Sequence, residues 1–255
     1  MRMRILGCAG GIGGSHRRTT SFLVDEDVLI DCGTGIGDLS IAELARIDHV
    51  FLTHSHLDHT ACLPLLIDTV GDLRAAPLIV HATEATSALL RAHMFNGAMW
   101  PDFAKIPSPV APYLRYEALR VGEAVDLGGR RITALPANHT VPAVGYQLDS
   151  GEASLVYSGD TGPCPELWAA INRIDNLRHL IVETAFPDQL CCLAEISGHL
   201  CPTMLAEQLE LLERPVEIHV SHLKPGQDEI TMGEIEHAIG DLKPRMLRSG
   251  QVIEW

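Results

Sequence analysis

Residues 53–59 read Thr-His-Ser-His-Leu-Asp-His and place three histidines and one aspartate within six positions. Imidazole nitrogen and carboxylate oxygen both bind zinc and similar divalent ions. The group directly follows the compact apolar stretch His49–Thr53, which has the composition of a strand. A tight loop after a strand can turn alternate side chains toward one centre and the rest toward another. His54, His56, Asp58 and His59 therefore have the makings of a site for more than one ion. A solvated polar loop with fortuitous histidines is the competing reading, and the density of ligand-type residues argues against it.

The elements that must position this loop can be sketched from periodicity and turn residues. Strand patterns occupy 2–6, 21–24, 28–30, 49–53, 77–81, 130–135, 143–148, 153–158, 180–183 and 216–221. A last strand falls at 245–248 or 251–254. Helical patterns fall at 38–47, 61–73, 84–95, 165–172, 201–213 and 231–241. Between 96 and 112 four prolines (Pro101, Pro107, Pro109, Pro112) break the pattern and predict a structured loop or lid. Strands, helices, more strands and further helices, with no linker composition and no repeat, predict a single α/β domain over 1–255. Its architecture is two sheets covered by helices.

Composition narrows the function classes. Hydrophobic residues make up 46% of the 255 residues, ample for a large core, while aromatics are only 5%, so aliphatic packing dominates. The net charge of -14 repels polyanions at long range and favours a small substrate over a long nucleic acid. The apolar run after Arg4 stops at glycines too soon for a signal peptide, and no stretch approaches the roughly 20 apolar residues of a membrane span. Seven scattered cysteines, none in a CxxC pair, predict unpaired thiols and a cytoplasmic protein. The run Gly7-Cys8-Ala9-Gly10-Gly11-Ile12-Gly13 lacks dinucleotide-binding spacing, yet it can bring backbone close to a metal or a phosphate.

The motif at 54–59 resembles the signature of the metallo-β-lactamase superfamily. That resemblance implies an αββα sandwich, with two mixed sheets flanked by helices. It also implies later ligands at three strand ends. His139 in Ala-Asn-His-Thr, Asp160 in Ser-Gly-Asp-Thr-Gly and His222 in Ser-His-Leu occur in that order and context. The family pattern then assigns His54, His56 and His139 to one metal and Asp58, His59 and His222 to the other, with Asp160 bridging. Such ions sit roughly 3.5–4 Å apart and clamp an attacking hydroxide between them. The implied cofactor is a pair of divalent ions, zinc first, with manganese or iron as alternatives. Asp31, in Ile-Asp-Cys-Gly, corresponds to an aspartate that supports a metal-binding histidine from behind. No cysteine stands at a ligand position, unlike some of the lactamases. His16, His49, His81, His93, His179, His219 and His237 match no ligand position and are read as structural or surface residues.

Within the superfamily the chain resembles class II cyclic-nucleotide phosphodiesterases. The resemblance rests on Asn138-His139-Thr140-Val141-Pro142, Val182-Glu183-Thr184, Ser197-Gly198-His199-Leu200 and Phe95-Asn96-Gly97-Ala98-Met99-Trp100-Pro101. The Glu183–His199 pair is shared with the sister group, the transfer-RNA 3′-processing nucleases. It implies a general acid, His199, oriented and kept charged by Glu183; Asp58 is the third catalytic candidate. The expected reaction is hydrolysis of 3′,5′-cyclic nucleotides to 5′-nucleotides, by a chain that family resemblance suggests is a homodimer. The nuclease sister group carries a basic arm between the ligands matching His139 and Asp160, which are only 21 positions apart here. RNA processing, hydrolysis of another ester or thioester, and a metal-binding module without turnover are the rival functions. Trp100, Phe103, Tyr113 and Tyr116 could stack on a base or pack a dimer contact.

Overall fold

The structure, a computed structural model, describes every residue of the chain except Ser15. The chain begins with β1 (Arg2–Gly7), β2 (Ser21–Val24), β3 (Val28–Ile30), α1 (Ile41–Leu44), β4 (His49–Phe51), α2 (Leu57–Thr60), α3 (Leu63–Val70), β5 (Leu78–Thr83) and α4 (Glu84–His93). It continues through β6 (Pro107–Ser108), β7 (Ala111–Pro112), β8 (Leu114–Leu119), β9 (Ala124–Leu127), β10 (Arg130–Pro136), β11 (Val144–Asp149) and β12 (Ser154–Tyr157). The remainder is α5 (Pro165–Ile171), β13 (Leu177–Glu183), α6 (Cys191–Ser197), α7 (Pro202–Leu209), β14 (Glu217–Ser221), α8 (Asp228–Ile239), β15 (Arg245–Met246) and β16 (Val252–Glu254).

Two seven-stranded mixed sheets result, in the orders β16-β1-β2-β3-β4-β5-β8 and β15-β14-β13-β12-β11-β10-β9. Each has an antiparallel part and a parallel part: β3, β4, β5 and β8 run parallel in the first, and β12 to β15 in the second. Side chains alternate across a strand, so each central strand feeds two cores. On β2, Phe22 and Val24 enter the layer between the sheets while Leu23 faces the helices. On β13, Ile181 points inward while Leu180 and Val182 pack under the helices. Both faces are buried, which is why these strands read as continuous apolar runs. Phe22, Phe51, Tyr146 and Tyr157 fill the middle layer, with Phe22 edge-on to Tyr157 at 4.9 Å. Truncating Phe51, fully buried there, would cost about 3–5 kcal/mol. The expected αββα architecture is present.

Several local expectations need correction. The helix at 38–47 is only α1, started by a reciprocal Ser40–Glu43 capping box and preceded by a 3₁₀ turn over Thr34–Asp38. The helix at 61–73 is α3 alone, extended by a 3₁₀ turn to Leu73, and the separate α2 carries half of the histidine motif. The two alternatives for a final strand both form, β15 joining the second sheet and β16 the first. The cysteines are not all unpaired: Cys191 and Cys201 form a disulfide across α6 and the turn that follows it. Gly198, at φ 67°, reverses the chain there and brings the two Cα atoms to 5.5 Å, ordinary disulfide reach. A ten-residue separation carries no such signal by itself. Among the described residues, no helix is long and apolar enough to cross a membrane.

Candidate metal centre

The strand ends of both sheets meet at one edge of the sandwich, where loops must supply the side chains. After β4 the chain passes through Thr53 to His54 and His56, and then turns directly into α2 with Asp58 and His59 in its single turn. His139 follows β10, Asp160 follows β12, and His222 follows β14. Asp31 and His222 adopt left-handed backbone, φ 55° and 63°, a strained choice for residues with a Cβ. Gly10 is held to this edge by its N–H, which donates to Leu223 O at 3.1 Å. A Cβ at Gly10 would meet His222 O at 2.5 Å and Cδ2 at 2.8 Å, so the glycine run lets backbone pack against that ring.

All seven residues converge in two adjoining groups. One ligand atom each from His54, His56 and His139 lies within 4.8 Å of the others, and the same holds for Asp58, His59, Asp160 and His222. Asp160 faces both groups: its Oδ2 is 3.2 Å from His59 Nε2 and 3.7 Å from His54 Nε2, and its Oδ1 is 3.3 Å from His222 Nδ1. Asp58 Oδ2 lies 3.6 Å from His222 Nε2 and 3.9 Å from His59 Nε2.

Hydrogen bonds behind the cluster decide which nitrogens face it. Asp31, fully buried, accepts from Thr53 N–H at 2.8 Å and from His59 Nδ1 at 2.7 Å. Nδ1 is thereby the protonated nitrogen, and Nε2 presents its lone pair to the centre. His139 Nδ1 donates to Gly198 O at 2.8 Å, so its Nε2, 3.1 Å from His56 Nδ1, is likewise an acceptor. His54 Nε2, His59 Nε2, Asp160 Oδ1 and both nitrogens of His222 are buried without a hydrogen-bond partner. Each such atom costs about 1–3 kcal/mol, and acceptors facing acceptors repel. Cations at the centre would take up the acceptor atoms among them, one nitrogen per ring and Asp160 Oδ1, so the donor set fits the pair of divalent ions that the fold implies. Burial pushes His54 well below the usual histidine range. Burial also pushes His222 down to about 3, which keeps the ring neutral with one nitrogen's lone pair free.

Beside this group lies a second buried pair. Glu183, the last residue of β13, accepts from His199 Nδ1 at 2.7 Å and from Thr161 N–H at 3.1 Å. Burial would lower the His199 pKa, but Glu183 outweighs it and raises it. The His199 ring stacks on His222 at 5.1 Å and stands edge-on to His139 at 4.9 Å. A ligand atom of His199 also comes within 4.8 Å of His139 and Asp160, so proximity alone permits His199 to act as a ligand.

Sequence reasoning missed Lys224, whose Nζ donates to Gly10 O at 2.8 Å and whose charge bears on Asp58, His199 and His222. Its position two residues after His222 was the available signal. The four aromatic residues separate: Phe103 is buried and Tyr113 packs against the same core, while Arg91 lies over Tyr116 at 5.1 Å. Trp100 lines an apolar cavity of about 460 Å³ together with Ser55, Leu57 and Met99, next to the histidine loop.

Residues 26–242 match a family described as the beta-lactamase superfamily domain. A probable 3′,5′-cyclic-nucleotide phosphodiesterase of Yersinia pestis is 27% identical over 280 aligned positions, covering 88% of this chain and 79% of its own length. A ribonuclease Z of Mycobacterium bovis is 29% identical, covering 74% of this chain and 73% of its own length. The crystal structure of unliganded yeast PDE1 superposes with a TM-score of 0.83 at 17% identity, covering 100% of this chain and 99% of that one. With the sandwich, the strand-end donor set and this match over most of its length, the chain belongs to the metallo-β-lactamase superfamily.

Proposed function

We propose that the chain is a phosphodiester hydrolase and that its substrate is a 3′,5′-cyclic nucleotide, opened to the 5′-nucleotide. The observation that carries this reading is the buried Glu183–His199 pair at 2.7 Å, set against the ligand cluster through His139 and His222. His54, His56 and His139 would hold one ion and Asp58, His59 and His222 the other, with Asp160 reaching both; zinc suits this nitrogen and oxygen donor set. When bound, the ions supply an activated water and offset charge on the phosphate. Asp31 orients His59. Asp58, whose side chain is 28% exposed, orients the attacking water. His199 gives its Nε2 proton to the departing 3′ oxygen, and Glu183 keeps the ring charged and aligned.

The small substrate is favoured by the stretch between His139 and Asp160. It is taken up by β11, β12 and the short turn joining them, where the nuclease branch has its arm. The net charge of -14 points the same way. A second reading, a transfer-RNA-processing nuclease, is favoured by the ribonuclease Z relative. Steady-state rates on cyclic AMP, cyclic GMP, a precursor transfer RNA and a nitrophenyl phosphodiester test both. Turnover of a cyclic nucleotide above that of the RNA is expected. Faster RNA cleavage, with tight salt-sensitive RNA binding, would overturn the cyclic-nucleotide reading.

A further inference from the structure

A second cluster of ligand-type side chains lies on β13 and β14, at the other end of those strands from Glu183 and His222. Leu180, Val182, Ile218 and Val220 face the helices, so alternation turns His179, Glu217 and His219 to the opposite face. The parallel ladder sets His179 beside Glu217 and Ile181 beside His219. His179 Nδ1 lies 3.5 Å from His219 Nε2 and 3.9 Å from Glu217 Oε2. One ligand atom of each of the three falls within 4.8 Å of the other two. Two donors bound to one tetrahedral zinc at about 2.0–2.1 Å sit about 3.4 Å apart, so this spacing is close to that of a shared ion.

The surroundings suit a cation. Both rings are buried. Burial lowers both histidines, His219 to about 4, and leaves them neutral. The Glu217 side chain is 53% exposed, which leaves an entry path and room for water in the remaining position. Arg245 Nη1 at 3.6 Å is its competing partner.

We propose that His179, Glu217 and His219 bind a third divalent ion of zinc type. It clamps β13 to β14 about 13 Å along the strand from Glu183, remote from the catalytic pair of ions.

The test is a metal count on the untagged full chain, equilibrated with zinc and freed of loose metal by gel filtration. Three equivalents are expected for the natural chain and two for His179→Gln/His219→Gln, with hydrolytic rate unchanged. Zinc should also raise the melting temperature of the natural chain more than that of the double variant. Equal metal content in the two proteins overturns the proposal. If the double variant does not fold, Glu217→Gln at its exposed position decides. Zinc affinity at the third site should fall at least about tenfold, the loss typical of removing even an indirect supporting group; unchanged affinity overturns it. The difference of one equivalent stands whether or not cyclic nucleotides prove to be the substrate.

Discussion

His49 and His54 are five positions apart, one half-exposed at the start of β4 and one buried in the loop that follows it, and they belong to opposite kinds of environment. His49 sits within β4 and meets His81 of β5, Nδ1 to Nε2 at 3.0 Å. The His81 ring stacks on Phe51 at 4.2 Å, and burial pushes it down to about 4. Among the described residues, no group of three ligand-type side chains includes either of them. His54, one loop further on, has a buried Nε2 with no partner and Asp160 3.7 Å away. A buried histidine is therefore not informative by itself. Two features separate the regions. A strand interior offers a ring only its ladder neighbours, whereas a strand-end loop can gather donors from several strands. At the loop, hydrogen bonds to Asp31 and Gly198 also commit the outer nitrogens and aim the inner ones at a common point.

The most damaging change to this contrast should be Asp160→Ala, because Asp160 alone faces both donor groups. Elemental analysis should show loss of both ions. Losing several kcal/mol of charge stabilisation corresponds to a rate at least about 10³-fold lower. Retention of two ions with near-normal turnover would mean that Asp160 does not hold both ions.

His199→Ala sharpens the boundary between donors and acid. The expected outcome is full metal content with kcat down about 10²- to 10⁴-fold on a cyclic nucleotide. The defect should be much smaller on a nitrophenyl diester, whose leaving group needs no proton. Glu183→Gln should give a milder version of the same pattern. If His199→Ala loses metal, or slows both substrates equally, His199 belongs with the donors.

The smallest effect is expected at the other pole of the comparison. His81→Phe keeps a ring against Phe51 and removes only the contact with half-exposed His49. Stability should change by no more than about 1.5 kcal/mol, with metal content and kcat unaffected. Thermal unfolding, elemental analysis and steady-state kinetics on one preparation check all three. A loss of metal here would show that burial, and not strand-end position, governs which histidines matter.

What was legible in the sequence had a local cause. The spacing His54-x-His56-x-Asp58-His59 is one short stretch of loop and helical turn, and the strands before Asp160 and His222 are largely buried on both faces, so their apolar runs are plain, while β10 before His139 alternates more exposed and buried positions. β8 and β9 escaped notice because they are edge strands with mostly solvent-facing side chains, where apolar patterning is weak. α6 is short and largely exposed for the same reason. The sequence by itself determined the donor-rich motif at 54–59 and two sheets covered by helices, since these follow from residue chemistry and periodicity along the chain, while His139, Asp160 and His222 were picked out by the family resemblance. Only the tertiary structure decided that Asp160 faces both groups, that Glu183 holds His199, that Lys224 borders the site, that Cys191 meets Cys201, and that His179 and His219 share a carboxylate while His49 and His81 do not. Each of those depends on how separate loops and strands are brought together in space, which no local pattern encodes.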